Sequence, residues 1–185
     1  REITYLRISL TDRCNYRCIY CMPQHGIDNK LDHEDMLSLE EMYVLIKNFV
    51  ELGINKIRFT GGEPLVRKGI VDLVGKVSKL KGVRDLAMTT NGQLLKQMAK
   101  PLKEAGLNRV NISLDTLDPM KFVKITRQGD LNAVLEGIDE AINVGLTPVK
   151  INTVLIGGIN DDEIRDLIDF TKRGIDVRFI ELMPI

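Results

Sequence analysis

The sequence is short of the residues that usually staple or titrate a small protein. In 185 residues it has two histidines, His25 and His33, and three cysteines, with no cysteine after Cys21. An odd, clustered cysteine set closes no complete disulfide framework and suits a reducing compartment, so a cytoplasmic location is expected (mitochondrial in a eukaryote). An excess of one charge sign is also missing, with 26 Lys and Arg against 26 Asp and Glu. That balance argues against general binding to nucleic acid or a membrane surface, yet leaves room for a local basic pocket. No apolar run approaches a membrane span, and no signal-peptide pattern opens the sequence. The length suits one domain with a sizeable core, expected to run over 1–185. Because the sequence starts at Arg1 rather than Met and stops at Ile185, straight after its sixth predicted strand, it is expected to be a fragment of something longer.

What is present is concentrated near the start. Cys14, Cys18 and Cys21 follow a C-x3-C-x2-C spacing within one short stretch. Three thiolates in one loop can face a common point, as a soft metal centre requires. Two centres compete for them. Zinc would take His25 as a fourth ligand, in a zinc-stabilised binding module. A [4Fe–4S] cluster held by three cysteines would leave one iron open for a cofactor or substrate.

The rest of the chain alternates strands with helices. Strands are predicted over Tyr5–Leu10, Lys56–Thr60, Asp85–Thr90, Arg109–Leu114, Pro148–Leu155 and Asp176–Leu182. Ser38, with Glu41 three residues on, marks a capping box for a helix ending near Leu52. Further helices are expected over Gly69–Leu80, Leu94–Ala105, Asp118–Thr126, Leu131–Val144 and Asp162–Lys172. This order implies right-handed βαβ units and a parallel sheet. Within the strands the pattern has period two: Arg7, Ser9, Lys56, Arg58, Thr60, Thr89, Asn111, Ser113, Lys150, Asn152 and Arg178 alternate with an apolar set. One face therefore packs helices and the other lines a wet interior. That is an α/β partial (βα)6 barrel of TIM type, with its site at the C-terminal ends of the strands.

Two features mark that end and that interior. Gly61-Gly62-Glu63-Pro64 follows the second strand, where glycines allow backbone to approach a small ligand and present carbonyls to an ammonium group. Arg7, Lys56, Arg58, Lys150 and Arg178 all point inward by alternation. Burying five like charges without a partner is costly, so a polyanion is the expected counterpart. Thr89 and Asn91 beside them suit a sugar or base, which makes a nucleotide the expected ligand.

The cysteine loop, with Tyr20 before its third cysteine, and the Gly61–Pro64 run resemble the signature of the radical S-adenosylmethionine (SAM) enzymes. The resemblance implies that Cys14, Cys18 and Cys21 hold a [4Fe–4S] cluster whose fourth iron is chelated by SAM. It implies SAM contacts from Tyr20, Gly62, Ser113 and Met183. Within that superfamily, the runs Arg58–Pro64, Thr89–Gly92, Asn111–Asp115, Lys150–Val154 and Arg178–Pro184 resemble the GTP 3′,8-cyclases of molybdenum-cofactor biosynthesis. That closer resemblance implies GTP binding by Arg7, Arg58, Thr89 and Lys150, with Lys56 and Arg178 as helpers. It also implies an external electron donor and allows a homodimer. That family carries three further cysteines for a second [4Fe–4S] cluster, and this sequence has none for it. SAM cleavage without productive cyclisation is thus expected of this stretch. A peptide-modifying or cofactor-maturation radical SAM enzyme remains the alternative.

Overall fold

The structure, a computed structural model, describes residues 2–26 and 36–183. Six parallel strands form one sheet in the order β1-β2-β3-β4-β5-β6: β1 Tyr5–Ser9, β2 Lys56–Thr60, β3 Asp85–Thr90, β4 Arg109–Ser113, β5 Lys150–Leu155 and β6 Asp176–Glu181. Each strand pairs with its neighbour in sequence, and among the described residues β1 and β6 do not pair. The barrel is therefore open along one side.

Helices α1 Leu39–Glu51, α2 Ile70–Ser78, α3 Leu95–Glu104, α4 Pro119–Thr126, α5 Leu131–Asn143 and α6 Ile164–Ile168 cover the outer face. The capping box at α1 is formed on both sides: Ser38 Oγ accepts from the Glu41 N–H at 3.1 Å, and Glu41 Oε2 accepts from the Ser38 N–H at 2.8 Å. The outward apolar strand residues meet these helices. Ile57, Phe59, Leu86, Met88, Ile112, Leu114, Val149 and Ile151 are all buried, as the period-two pattern requires.

Three expectations are corrected. The helix expected over 162–172 is a short α6 flanked by 3₁₀ turns at Asp161–Glu163 and Asp169–Arg173. The Glu163 side chain, in the first of these turns, reaches to Thr116 and Leu117. The fifth strand starts at Lys150 rather than Pro148, since proline has no N–H to give to a ladder. The inward cations, finally, are not a buried set without partners. Arg7, Lys56 and Arg178 are exposed in the open barrel, and Lys150 is paired with Asp176 at 2.5 Å. The sequence reading had left Asp85, Arg109 and Asp176 off the inner face.

Candidate functional site

At the strand ends a threonine device recurs. Thr11 and Thr116, just after β1 and β4, and Thr90, the last residue of β3, are buried, and each hydroxyl oxygen accepts from the backbone N–H two residues on, at 3.1 Å. Such turns end a strand while satisfying a backbone donor. Two buried glutamates then tie neighbouring ends together. Glu63 accepts from Thr90 Oγ1 and the Asn91 N–H, both at 2.7 Å. Glu163 accepts from Thr116 Oγ1 at 2.6 Å and the Leu117 N–H at 2.7 Å. The glutamate of Gly61-Gly62-Glu63-Pro64 thus fastens the loop after β2 to the end of β3.

The same loop is pressed against the cysteine segment. The Gly62 N–H donates to Thr11 O at 2.7 Å, and the Glu63 N–H donates to Arg13 O at 2.8 Å. A Cβ on Gly62 would lie 2.3 Å from Arg13 O. Gly61, at φ +146°, would bring one 2.6 Å from Thr11 O. Both glycines are needed first for backbone-on-backbone packing, a reason the sequence reading did not give. Among the described residues neither glycine carbonyl accepts a hydrogen bond, so both remain available to a ligand.

The cysteine loop hangs from α4. The Arg17 and Ile19 N–H groups donate to Thr126 O and Ile125 O, at 3.0 and 2.9 Å. Tyr16 stacks edge-on against Phe122 and donates to Gln93 Oε1 at 2.6 Å. All three thiols are free of disulfides, with Cys14 and Cys18 half-buried and Cys21 exposed. Burial pushes the Cys18 thiol up to about 12 and raises Cys14, while Asp115 adds to the effect at Cys18. Protonated thiols of this kind would ionise on binding a metal centre.

Cys14, Cys18 and Cys21 line one cavity of about 220 Å³ at the top of the barrel. Tyr20, Gly62, Thr89, Ser113 and Arg7 line it too. Among the described residues no three cysteine, histidine, aspartate or glutamate side chains converge on a single ion. A cubane spreads its thiolates over separate irons and needs a cavity, which is what these residues surround. His25 is exposed in the turn after the loop, and His33 lies outside the described residues. Tyr20 and Cys21 also border a second, largely apolar cavity of about 520 Å³, with Ile156, Met183 and Arg127 across from them. The Tyr20 hydroxyl donates to Asp115 Oδ2 at 2.6 Å. Burial raises Asp115, against the Tyr20 hydroxyl and the Val154 N–H, which favour its charged form.

Lys56, Arg58, Lys150 and Arg178 sit lower in the barrel and border neither cavity. The ladder sets Arg7 opposite Arg58, Ala87 beside both Arg58 and Arg109, and Asn152 opposite Arg178. Asp85 holds Arg109 through two bonds, at 3.1 and 2.6 Å. Arg58 lies over the Tyr5 ring at 5.4 Å, and its Nε is buried without a hydrogen-bond partner. Burial pushes its guanidinium below the usual value, and Arg109, Arg7 and Arg178 push the same way. The barrel floor is therefore a field of positive charge.

The profile of the radical SAM superfamily matches residues 8–171. The chain belongs to the radical SAM superfamily. Among solved structures with the same fold, the SuiB enzyme of Streptococcus suis bound to S-adenosylmethionine superposes at a TM-score of 0.82 with 20% identity. That match covers 98% of this radical SAM chain and 41% of SuiB. Methylornithine synthase superposes at 0.75 with 20% identity, covering 97% of this chain and 53% of that one. Sequence relatives are much closer. The GTP 3′,8-cyclase of Peptoclostridium acidaminophilum is 63% identical over 185 residues, which is all of this chain and 57% of that protein. That of Alkaliphilus oremlandii is 60% identical, again over the whole chain and 58% of the protein. The chain thus spans a little over half the length of these curated relatives.

Proposed function

We propose that this chain is the radical SAM barrel of a GTP 3′,8-cyclase, joining C3′ of the GTP ribose to C8 of its base. The observation that carries the GTP assignment is the crowd of arginines on the barrel floor, where Arg58 is pressed by Arg7, Arg109 and Arg178. A triphosphate is the ligand that relieves such crowding, since arginine forks match phosphate oxygens. The high identity to enzymes bearing that name supports the same reading.

In this reading Cys14, Cys18 and Cys21 hold a [4Fe–4S] cluster beneath the loop. Gly62, Tyr20, Ser113 and Met183 hold SAM, with the unbonded carbonyls after β2 accepting from its ammonium. When bound, the cluster supplies the one-electron reduction that cleaves SAM. Arg7, Arg58 and Lys150, helped by Lys56 and Arg178, hold the triphosphate low in the barrel. Thr89 then meets the ribose and base just under the cysteine loop. An external electron donor, a reducing cytoplasmic setting and a homodimer belong to the same proposal.

The test is anaerobic iron–sulfide reconstitution, then SAM cleavage under dithionite with and without GTP. We expect 5′-deoxyadenosine from the wild type and none from Cys18→Ala. GTP should raise the yield, and Arg58→Ala should remove that stimulation. Cleavage indifferent to GTP would sink the nucleotide assignment and favour a peptide-modifying or cofactor-maturation enzyme. Absence of iron, with tightly held zinc, would sink both.

A further inference from the structure

One arginine outside the proposed ligand contacts is built into the cysteine loop. Arg127 follows α4 in the left-handed region, at φ 62°, and is the one non-glycine residue with positive φ among those described. Helices usually place glycine at such a position, because a side chain there is strained. The strain persists while the guanidinium has partners. Arg127 Nη1 donates to Arg17 O and to Met22 O, both at 3.0 Å. These carbonyls belong to the residues immediately before Cys18 and immediately after Cys21.

We propose that Arg127 is the positioning residue of the cysteine loop, a clasp whose single nitrogen closes the Cys18–Cys21 segment against the end of α4. The backbone prepares the closure. Within the segment the Cys21 and Met22 N–H groups both donate to Cys18 O, at 2.9 and 3.0 Å. The segment is thereby one tight turn whose two ends meet at the guanidinium. Its other tether to α4, through Arg17 and Ile19, lies entirely on the Cys18 side. Only Arg127 fixes the Cys21 side to the helix among the described contacts. Both bonds come from one nitrogen, so a lysine, with a single ammonium on a shorter stem, would keep part of the contact. Cys14 is outside the clasp, its carbonyl being held by Arg17 Nη1 at 2.7 Å.

This inference uses the cysteine-ligand reading above, and its test runs on the cluster-free chain so that the two fail separately. Native-state amide hydrogen exchange, read by NMR, reports local opening, which thiol labelling cannot do at the exposed Cys21. Arg127→Gly suits the left-handed backbone and deletes only the clasp. It should exchange the Cys21 and Met22 amides, both bonded to Cys18 O, about tenfold faster than wild type, in line with the loss of charge-assisted hydrogen bonds, and the Arg17 and Ile19 amides less so. The Gly62 amide, bonded to Thr11 O outside the clasp, should keep its rate, whereas general loosening would raise all of them together. Arg127→Lys should fall between glycine and wild type, and it carries the test if the glycine variant does not fold. After reconstitution, iron should pass to a chelator faster in both variants. Wild-type exchange at Cys21 and Met22 in a folded Arg127→Gly chain, or equal acceleration at all these amides, overturns the proposal.

Discussion

Glu63 and Glu163 show how one neighbour changes the chemistry of a repeated contact. Each carboxylate takes a threonine hydroxyl and the next backbone N–H at the end of a strand. At Glu63 burial wins over these donors and the carboxyl is raised. At Glu163 burial also pushes upward, but Thr116, the Leu117 N–H and finally Lys121, 3.0 Å away, bring the net direction down. Glu163 therefore stabilises the fold above the ordinary carboxyl range near 4.5, and that contribution is lost as pH falls through its lowered native value. The stability gap between wild type and Glu163→Gln, measured by urea unfolding, should be constant near neutrality and close in acid. Glu63→Gln should cost about 1–3 kcal/mol near neutrality, since its amide would turn a donor toward a buried N–H or hydroxyl. Gly62→Ala should cost a similar amount, about 1–3 kcal/mol, because its Cβ meets backbone that cannot swing aside. Its retention of reconstituted iron should fall in parallel.

At the scale of elements, much was legible because local chemistry and tertiary role agree. Ser38 and Glu41 announce α1, and Ser38→Ala should lower stability by about 1 kcal/mol in thermal or urea unfolding. Lys56–Thr60 and Asp85–Thr90 have the bounds their alternation predicts. The helical stretch after β5 was legible as one piece, but not its division into 3₁₀ and α turns, nor the reach of Glu163 to Thr116, 47 positions earlier. The threonine turns were hidden for another reason. The alternation predicts strand ends at Leu10, Thr90 and Leu114, yet no local pattern shows that the hydroxyls of Thr11, Thr90 and Thr116 accept from the N–H two residues on. Arg127 carried no signal at all, because its partners lie 105 and 110 positions away.

For the molecule as a whole, alternation correctly divided the sheet into a helix-packed face and a polar interior. It pointed to a partial barrel, yet overstated how deeply Arg7, Lys56 and Arg178 are buried. It also missed that Asp85 and Asp176 answer Arg109 and Lys150. The remaining positive field predicts salt-sensitive nucleotide binding. Arg58→Ala should weaken GTP binding about tenfold by calorimetry at low salt, the equivalent of one charge-assisted contact.

The simple strand order has a consequence in time. Each strand leaving the ribosome finds its sheet neighbour already made, so the barrel grows in one direction through local steps. The cysteine loop escapes that schedule. Its thiols are translated before β2 to β6, yet the Arg127 contact with Arg17 spans 110 positions. Until α4 and Arg127 arrive, the three cysteines are translated but their loop is unfinished.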